Sequence, residues 1–325
     1  MRTKGSWVVA TAAVLAVLPF ALSDFRTVQL ATVGAYSIAT LGLDVLPGAS
    51  GQISLGHGAF MAIGSYTTGI LVGYHGVRDL ATIPAAAAIA GGIGLLAGIP
   101  ALRLSGLYLA LATFGIAVVF PTLLNRFDGF TGGSSGISFF GSAHQTGHGL
   151  GVDVAGVHLT NAEWLYALTW AIGGALFLLA WFLLGSRFGR SLRAVRDSEL
   201  AAAASGIDRS AYKVAAFGLS AAYAGVAGAL FAINVAYVSP GTISIQLSLY
   251  LLVAAVVGFY GSIWGALLGA LVIQFLGDAV GAIPHVDTTK AGPTTFAFGA
   301  LLVALVLLVP LLTRAGRHLR RGSTT

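Results

Sequence analysis

Ten stretches of 16 to 22 residues carry almost no charge, at 7–22, 27–46, 53–74, 83–102, 107–124, 164–184, 214–235, 245–260, 263–283 and 294–312. The third, with 22 residues, reaches roughly 33 Å as a helix, enough to cross a bilayer. Such runs leave few folds open, because in lipid every backbone polar group needs a partner inside the protein. The runs are continuous, not alternating, which excludes a β-barrel. Only 9% of the residues are charged and the mean hydropathy is +0.89, whereas a soluble domain carries about 25% charged residues. The expected fold is therefore an all-α integral membrane protein, a polytopic helical bundle of about 10 transmembrane helices (range 8–10). Gly is abundant at 45 residues, which suits close helix packing in a membrane. The chain has no Cys, so disulfides and thiolate chemistry are excluded. No internal repeat is evident.

The first run reads as a cleaved signal peptide or as a retained span, and retention fits the charge distribution better. With ten spans both termini lie on one side. Placing both cytoplasmic puts 13 of the 17 Lys and Arg inside, which agrees with the positive-inside rule. The net charge of +6 then follows from topology and does not call for nucleic acid. On this reading residues 1–325 form a single transmembrane domain with a cytoplasmic loop at 185–212. A short basic cytoplasmic tail follows at 313–325.

Polar residues inside the runs are the functional candidates, because they are costly in hydrocarbon and face the bundle. They are Asp44, Gln52, Ser54, His57, Thr113, Gln274 and Asp278. Asp44 and Asp278 lie near span ends and read as hydrated. The third run opens Gly51-Gln-Ile-Ser-Leu-Gly-His57-Gly58, too polar and too rich in Gly for lipid. His57 alone fits a satisfied packing histidine equally well. In a helix Ser54 and His57 share a face, and Gln52 lies about 200° from Ser54. Pro47, Gly48 and Gly51 disfavour a continuous helix, so a discontinuous start buried in protein is expected.

Arg187–Ala204 reads as one short helix with Phe188, Leu192 and Val195 on one side and an Arg193–Asp197 i,i+4 pair. Gly206 is its expected stop, and Asp208 or Ser210 the cap of the next helix. An ordinary basic loop gives the same charge pattern. None of the three Lys (Lys4, Lys213, Lys290) follows a Gly, so there is no G-x-x-x-x-G-K-[ST] phosphate loop. His144, His148, Asp153 and His158 fit no compact metal motif and read as a solvated loop, so no metal or other cofactor is expected.

The stretch from Gly51 resembles the signature G-Q-x-S-L-G-H-x-A-F-x-x-x-G-A-Y of the permeases of bacterial branched-chain amino-acid ABC importers (LivM/LivH type). Gly51, Gln52, Ser54, Leu55, Gly56, His57, Ala59, Phe60, Gly64 and Tyr66 match; Ser65 stands where Ala is frequent. Residues 189–207 are similar to that family's coupling loop, G-R-A-L-R-A-I-R-D-N-E-x-A-A-x-x-x-G-I. Arg190, Leu192, Arg193, Ala194, Arg196, Asp197, Glu199, Ala201, Ala202, Gly206 and Ile207 match. Residues 102–115, 131–137 and 212–230 resemble it too, so the likeness covers roughly 30–310, closer to the LivM type.

The resemblance implies a non-enzymatic permease subunit in a bacterial cell membrane, moving branched-chain amino acids or a related small solute inward. Its implied partners are cytoplasmic ATP-binding subunits, a second permease subunit and an extracytoplasmic solute-binding protein. Gln52, Ser54, His57 and Thr113 become candidates for the solute path, and Arg193, Arg196, Asp197, Glu199 and Gly206 for coupling to the ATPase. The alternative is a self-sufficient channel or secondary transporter, which needs no docking helix at 187–207. The sequence leaves the solute open among branched-chain amino acids, urea and amides. The ten-span orientation has a direct check. With no native Cys, Ser138→Cys should react with an impermeant thiol reagent in intact cells, and Ser198→Cys should not; equal reaction contradicts the orientation.

Overall fold

The computed structural model describes residues 18–45, 51–52, 54–104, 106–142, 145, 152–154, 157–242, 245–258, 263–281, 296–301 and 303–304. Most of the expected first and tenth spans and the basic tail lie outside the described residues. The main elements are α1 (Asp24–Val45), α2 (His57–Gly73), α3 (Asp79–Ala101), α4 (Leu107–Arg126) and α5 (Asn161–Gly185). They continue with α6 (Arg187–Asp197), α7 (Glu199–Ala204), α8 (Arg209–Val235), α9 (Ile245–Val257) and α10 (Ile263–Gly281). Strands β1 (Ile137–Ser138), β2 (Val152–Val154), β3 (Val157–Leu159) and β4 (Tyr237–Val238) are short. They make two antiparallel pairs, β1 with β4 and β2 with β3. Helices α3, α4, α5 and α8 are long and apolar enough to cross a membrane.

Helix starts follow local chemistry. Thr160 and Glu163 form a reciprocal capping box that opens α5. Asp208 accepts from the amides of Ser210 and Ala211 and opens α8, as expected. Gly206, at φ +79°, ends the turn after α7 in the conformation Gly adopts without strain. The expected single helix 187–204 is instead two. Ser198 is extended and its hydroxyl accepts from the Ala201 amide, so a cap for α7 interrupts the chain.

Helix α8 is the axis of the bundle: its apolar length is almost wholly buried, whereas most of α5 is not. Small residues produce this burial. A Cβ at Gly228 would stand 1.9 Å from the Met61 carbonyl, and one at Gly64 2.1 Å from the Gly225 carbonyl. On the other flank, a Cβ at Gly94 would meet the Ala221 methyl at 2.3 Å. Ser65 completes the contact, its hydroxyl 2.8 Å from the Gly228 carbonyl and 3.1 Å from that of Met61. Helix α5 offers no such surface and presents Leu178, Trp181 and Phe182 outward.

The two ends of the bundle differ. One carries the β1–β4 pair, an Arg26–Asp278 ion pair at 3.8 Å, and a cavity of about 50 Å³ lined by residues including Asp79, Asn161 and Asn234. The other gathers Gly51, the end of α5, and helices α6 and α7. Residues meeting at each end are those the alternation of runs puts on one side. Asp278 is exposed as expected, but Asp44 is only 4% exposed, because it faces into the bundle.

The α2–α8 contact has a measurable consequence. Gly228→Ala should lower the thermal stability of the detergent-solubilised protein, the overpacking costing about 1–3 kcal/mol. Gly174→Ala, at a helical position with no atom within 4 Å, should be neutral or slightly stabilising.

Candidate functional site

Helix α2 begins at His57, four residues after the start of its apolar run. Its 17 residues span about 25 Å, short of the roughly 30 Å hydrocarbon core. The described residues before it, Gly51, Gln52 and 54–56, are non-helical and form a strap leading into the helix. The discontinuous start expected from the sequence is therefore present among the described residues. The expectation that Ser54 and His57 share a helical face fails, because Ser54 lies in the strap and is not helical.

Irregular backbone at this depth survives only when buried and hydrogen-bonded. Gln52, Ser54, Gly56 and His57 are all buried. The Leu55 amide donates to Thr113 Oγ1 on α4 at 2.9 Å, and the Gly56 amide to Ser54 Oγ at 3.3 Å. The Thr113 hydroxyl lies 3.0 Å from the Ala110 carbonyl and 3.1 Å from that of Leu109, so it donates into its own helix while accepting from the strap. The first turn of α2 is tied to α9, where Ser248 Oγ accepts from the Gly58 amide at 3.1 Å. A Cβ at Gly56 would stand 2.6 Å from the Thr113 carbonyl, and one at Gly58 2.4 Å from Ser248 Oγ.

His57 is wedged between α1 and α8. Its Nδ1 is 3.5 Å from Ser220 Oγ, and its Nε2 lies where a Cβ on Gly42 would be 3.4 Å away. The structure thus brings Ser54, His57 and Thr113 together around the strap, with Gln52 at the end nearer α6 and α7. Ser220 and Ser248 belong to the same cluster and were not singled out from the sequence. The only sequence signal was a hydroxyl in an apolar run, which many other Ser and Thr share.

The segment 187–207 hangs at the same end. Leu192 and Val195 of α6 are fully buried, and Phe188 packs on Tyr212 of α8 with ring centroids 5.6 Å apart. Arg190 and Arg193 donate to the carbonyls of Gly185 and Leu184, each at 3.0 Å, satisfying orphan acceptors at the end of α5. The expected Arg193–Asp197 pair is consequently not made. Asp197 pairs with Arg196 at 3.0 Å instead. Glu199 binds Lys213 and Arg209, anchoring α7 to the start of α8. The residue turned fully outward is Leu200, 80% exposed on α7. Asp153 and His158 are register partners in the β2–β3 pair, and no group of three metal-type ligands occurs among the described residues. His144 and His148 lie outside the described residues.

Long apolar helices around a small-residue axis, with a polar strap interrupting one of them, define a multi-pass membrane permease. Residues 27–311 match the family described as "Branched-chain amino acid transport system / permease component", and the chain belongs to that family. It is 34% identical over 271 residues to the high-affinity branched-chain amino acid transport system permease protein LivM of Escherichia coli K12. That match covers 78% of this chain and 63% of LivM, so the chain spans less than two thirds of that relative. The LivH permease protein of the same strain is 24% identical over 290 residues, covering 85% of this chain and 89% of LivH. The E. coli K12 ribose import permease protein RbsC is 26% identical over 269 residues, covering 79% of this chain and 77% of RbsC. No solved structure matches the chain.

The strap's dependence on Thr113 is testable through stability. Thr113→Val keeps the shape and removes the acceptor, leaving the part-buried Leu55 amide unpaired, and should cost about 1–3 kcal/mol in a detergent melt. Thr113→Ser should keep most of the stability, since it retains the hydroxyl.

Proposed function

We propose that this chain is a membrane subunit of a binding-protein-dependent ABC importer that moves branched-chain amino acids or a related small solute inward. The observation that carries the reading is the family match over 27–311, nearly the whole apolar part of the chain. The branched-chain substrate is favoured over a sugar by the higher identity to LivM than to RbsC. In this reading the chain lies in the inner membrane of a bacterial cell as one transmembrane domain of about ten spans with both termini cytoplasmic. Gln52, Ser54, His57 and Thr113 border the solute path. ATP is bound and hydrolysed by cytoplasmic partner subunits, and a second permease subunit and an extracytoplasmic binding protein complete the importer.

The loop 185–212 is the proposed contact for the ATPase. Support comes from its build: Arg190, Arg193 and Glu199 are occupied within the chain, while Leu200 is presented outward. An exposed Leu on a helix held this firmly suits an apolar pocket of a partner. Arg193, Glu199 and Gly206 then act by shaping the loop, and the exposed Asp197, paired with Arg196, is available to a partner.

Reconstitution with the ATPase, second permease and binding protein tests the reading. The assembly should take up leucine only with ATP and binding protein, and excess ribose should not compete. ATP-independent uptake by this chain alone would support the channel or secondary-transporter alternative. Leu200→Asp should reduce co-purified ATPase at least tenfold while membrane insertion stays normal; undiminished ATPase refutes the docking role.

A further inference from the structure

At the end of the bundle remote from α6 and α7, a cavity of about 50 Å³ lies where three helix ends meet. Asp79 opens α3, Asn161 opens α5, and the last turn of α8 closes the site with Asn234. The C-terminal turn of a helix presents carbonyls and the first turn presents amides, so partial charges of both signs border one small space. Next to Asn234, Ala236 is left-handed at φ +55°, the one residue other than Gly to be so among the described residues. Strain of that kind collects at binding sites.

The side chains decide which chemistry the cavity suits. Asp79 is 1% exposed and brings a carboxylate, and the lining contains no Lys, Arg or His. Asn234 is 8% exposed; its Oδ1 accepts from Thr169 at 3.4 Å, while its Nδ2 has no partner among the described residues. Gln145 lines the same cavity, and its Oε1 has no partner either. A buried donor and a buried acceptor left over in one place cost about 1–3 kcal/mol each unless something bound takes them. Leu165 and Ile233 add an aliphatic wall. The volume exceeds the roughly 10–15 Å³ that one water needs and suits a group of a few heavy atoms.

We propose that this cavity binds the ammonium–carboxylate head of an aliphatic amino acid. The ammonium lies toward Asp79 and the carbonyl end of α8, and the carboxylate toward Asn234 Nδ2 and the first turn of α5. This site is separate from the strap: Ser220, which meets His57, is roughly 21 Å along α8 from Asn234. The proposal rests on the importer reading only for its role, a first stop for solute at the extracytoplasmic end.

Phe140 borders the cavity and is 76% exposed, and the chain has no Cys. Phe140→Cys in the purified full chain in detergent therefore gives a single thiol for N-ethylmaleimide to alkylate. Millimolar leucine should slow alkylation at least threefold. 3-Methylbutylamine, which keeps the ammonium, should slow it about half as much, and 4-methylpentanoate, which keeps only the carboxylate, should leave it unchanged. Adding Asp79→Asn should abolish protection by leucine and by the amine, with the rate in the absence of solute staying within twofold of the parent. If Asp79→Asn does not fold, the ranking of the three solutes decides alone. An alkylation rate unaffected by leucine overturns the proposal, and so does equal protection by 4-methylpentanoate, which would mark an apolar pocket indifferent to charge. In the complete importer, Asp79→Asn should lose at least tenfold in leucine uptake while the ATPase stays bound. If the parent assembly takes up no leucine, the transport reading fails by itself, and the alkylation rates still decide the site.

Discussion

Helices α2 and α8 approach until the Gly228 backbone lies against the Met61 carbonyl and Gly64 against the Gly225 carbonyl. In lipid there is no hydrophobic drive to push helices together, because lipid tails are as apolar as Leu. Association depends on dispersion between closely packed backbones and on a few interhelical hydrogen bonds. The Ser65 hydroxyl supplies one such bond, to the Gly228 carbonyl. With α8 held on α2 and α3, its other faces serve α1 and helices α6 and α7. The outer helix α5, with its bulky exposed side chains, is left to face lipid or a partner.

The same contact explains how an irregular strap is tolerated in a membrane span. Helix α2 is too short to cross, and the residues that complete the path must find partners inside the protein. Hydroxyls on α4 and α9 take the amides of Leu55 in the strap and of Gly58 in the first turn of α2. This occupies groups that an open helix end would otherwise direct at an anionic solute. The described arrangement is therefore one in which the candidate solute-path residues are packed together.

At the end that carries α6 and α7, charge is used mostly for internal construction. Arginines on α6 satisfy carbonyls at the end of α5, and Glu199 ties α7 to the start of α8. A basic loop that satisfies the positive-inside rule can thus also be a rigid platform. The interruption at Ser198 turns α7 to a new direction and exposes Leu200.

Much of the fold was legible because membrane-spanning helices write themselves as long apolar runs. Each described run from 27–46 to 263–283 contains a helix, with ends shifted by a few residues where caps such as Asp208 and the Thr160–Glu163 box decide them. The break before His57 was legible too, since Pro and Gly cluster there. The sequence could not disclose which polar groups meet. The Arg193–Asp197 pair has ideal helical spacing, but the unsatisfied carbonyl of Leu184 takes Arg193, and that carbonyl is brought near only by the turn at Gly185 and Ser186. Asp44 looked like a span end open to water until packing buried it. Ser220 and Ser248 lie far from the strap in the chain, as Asp79, Asn161 and Asn234 do from one another, so no local pattern could pair them. Composition and periodicity set which segments enter the membrane, because that depends on each segment's own transfer energy. Which hydroxyl holds the strap and which side chain touches it depends on the rotation and depth of neighbouring helices, and those are set only when glycine-lined surfaces lock together.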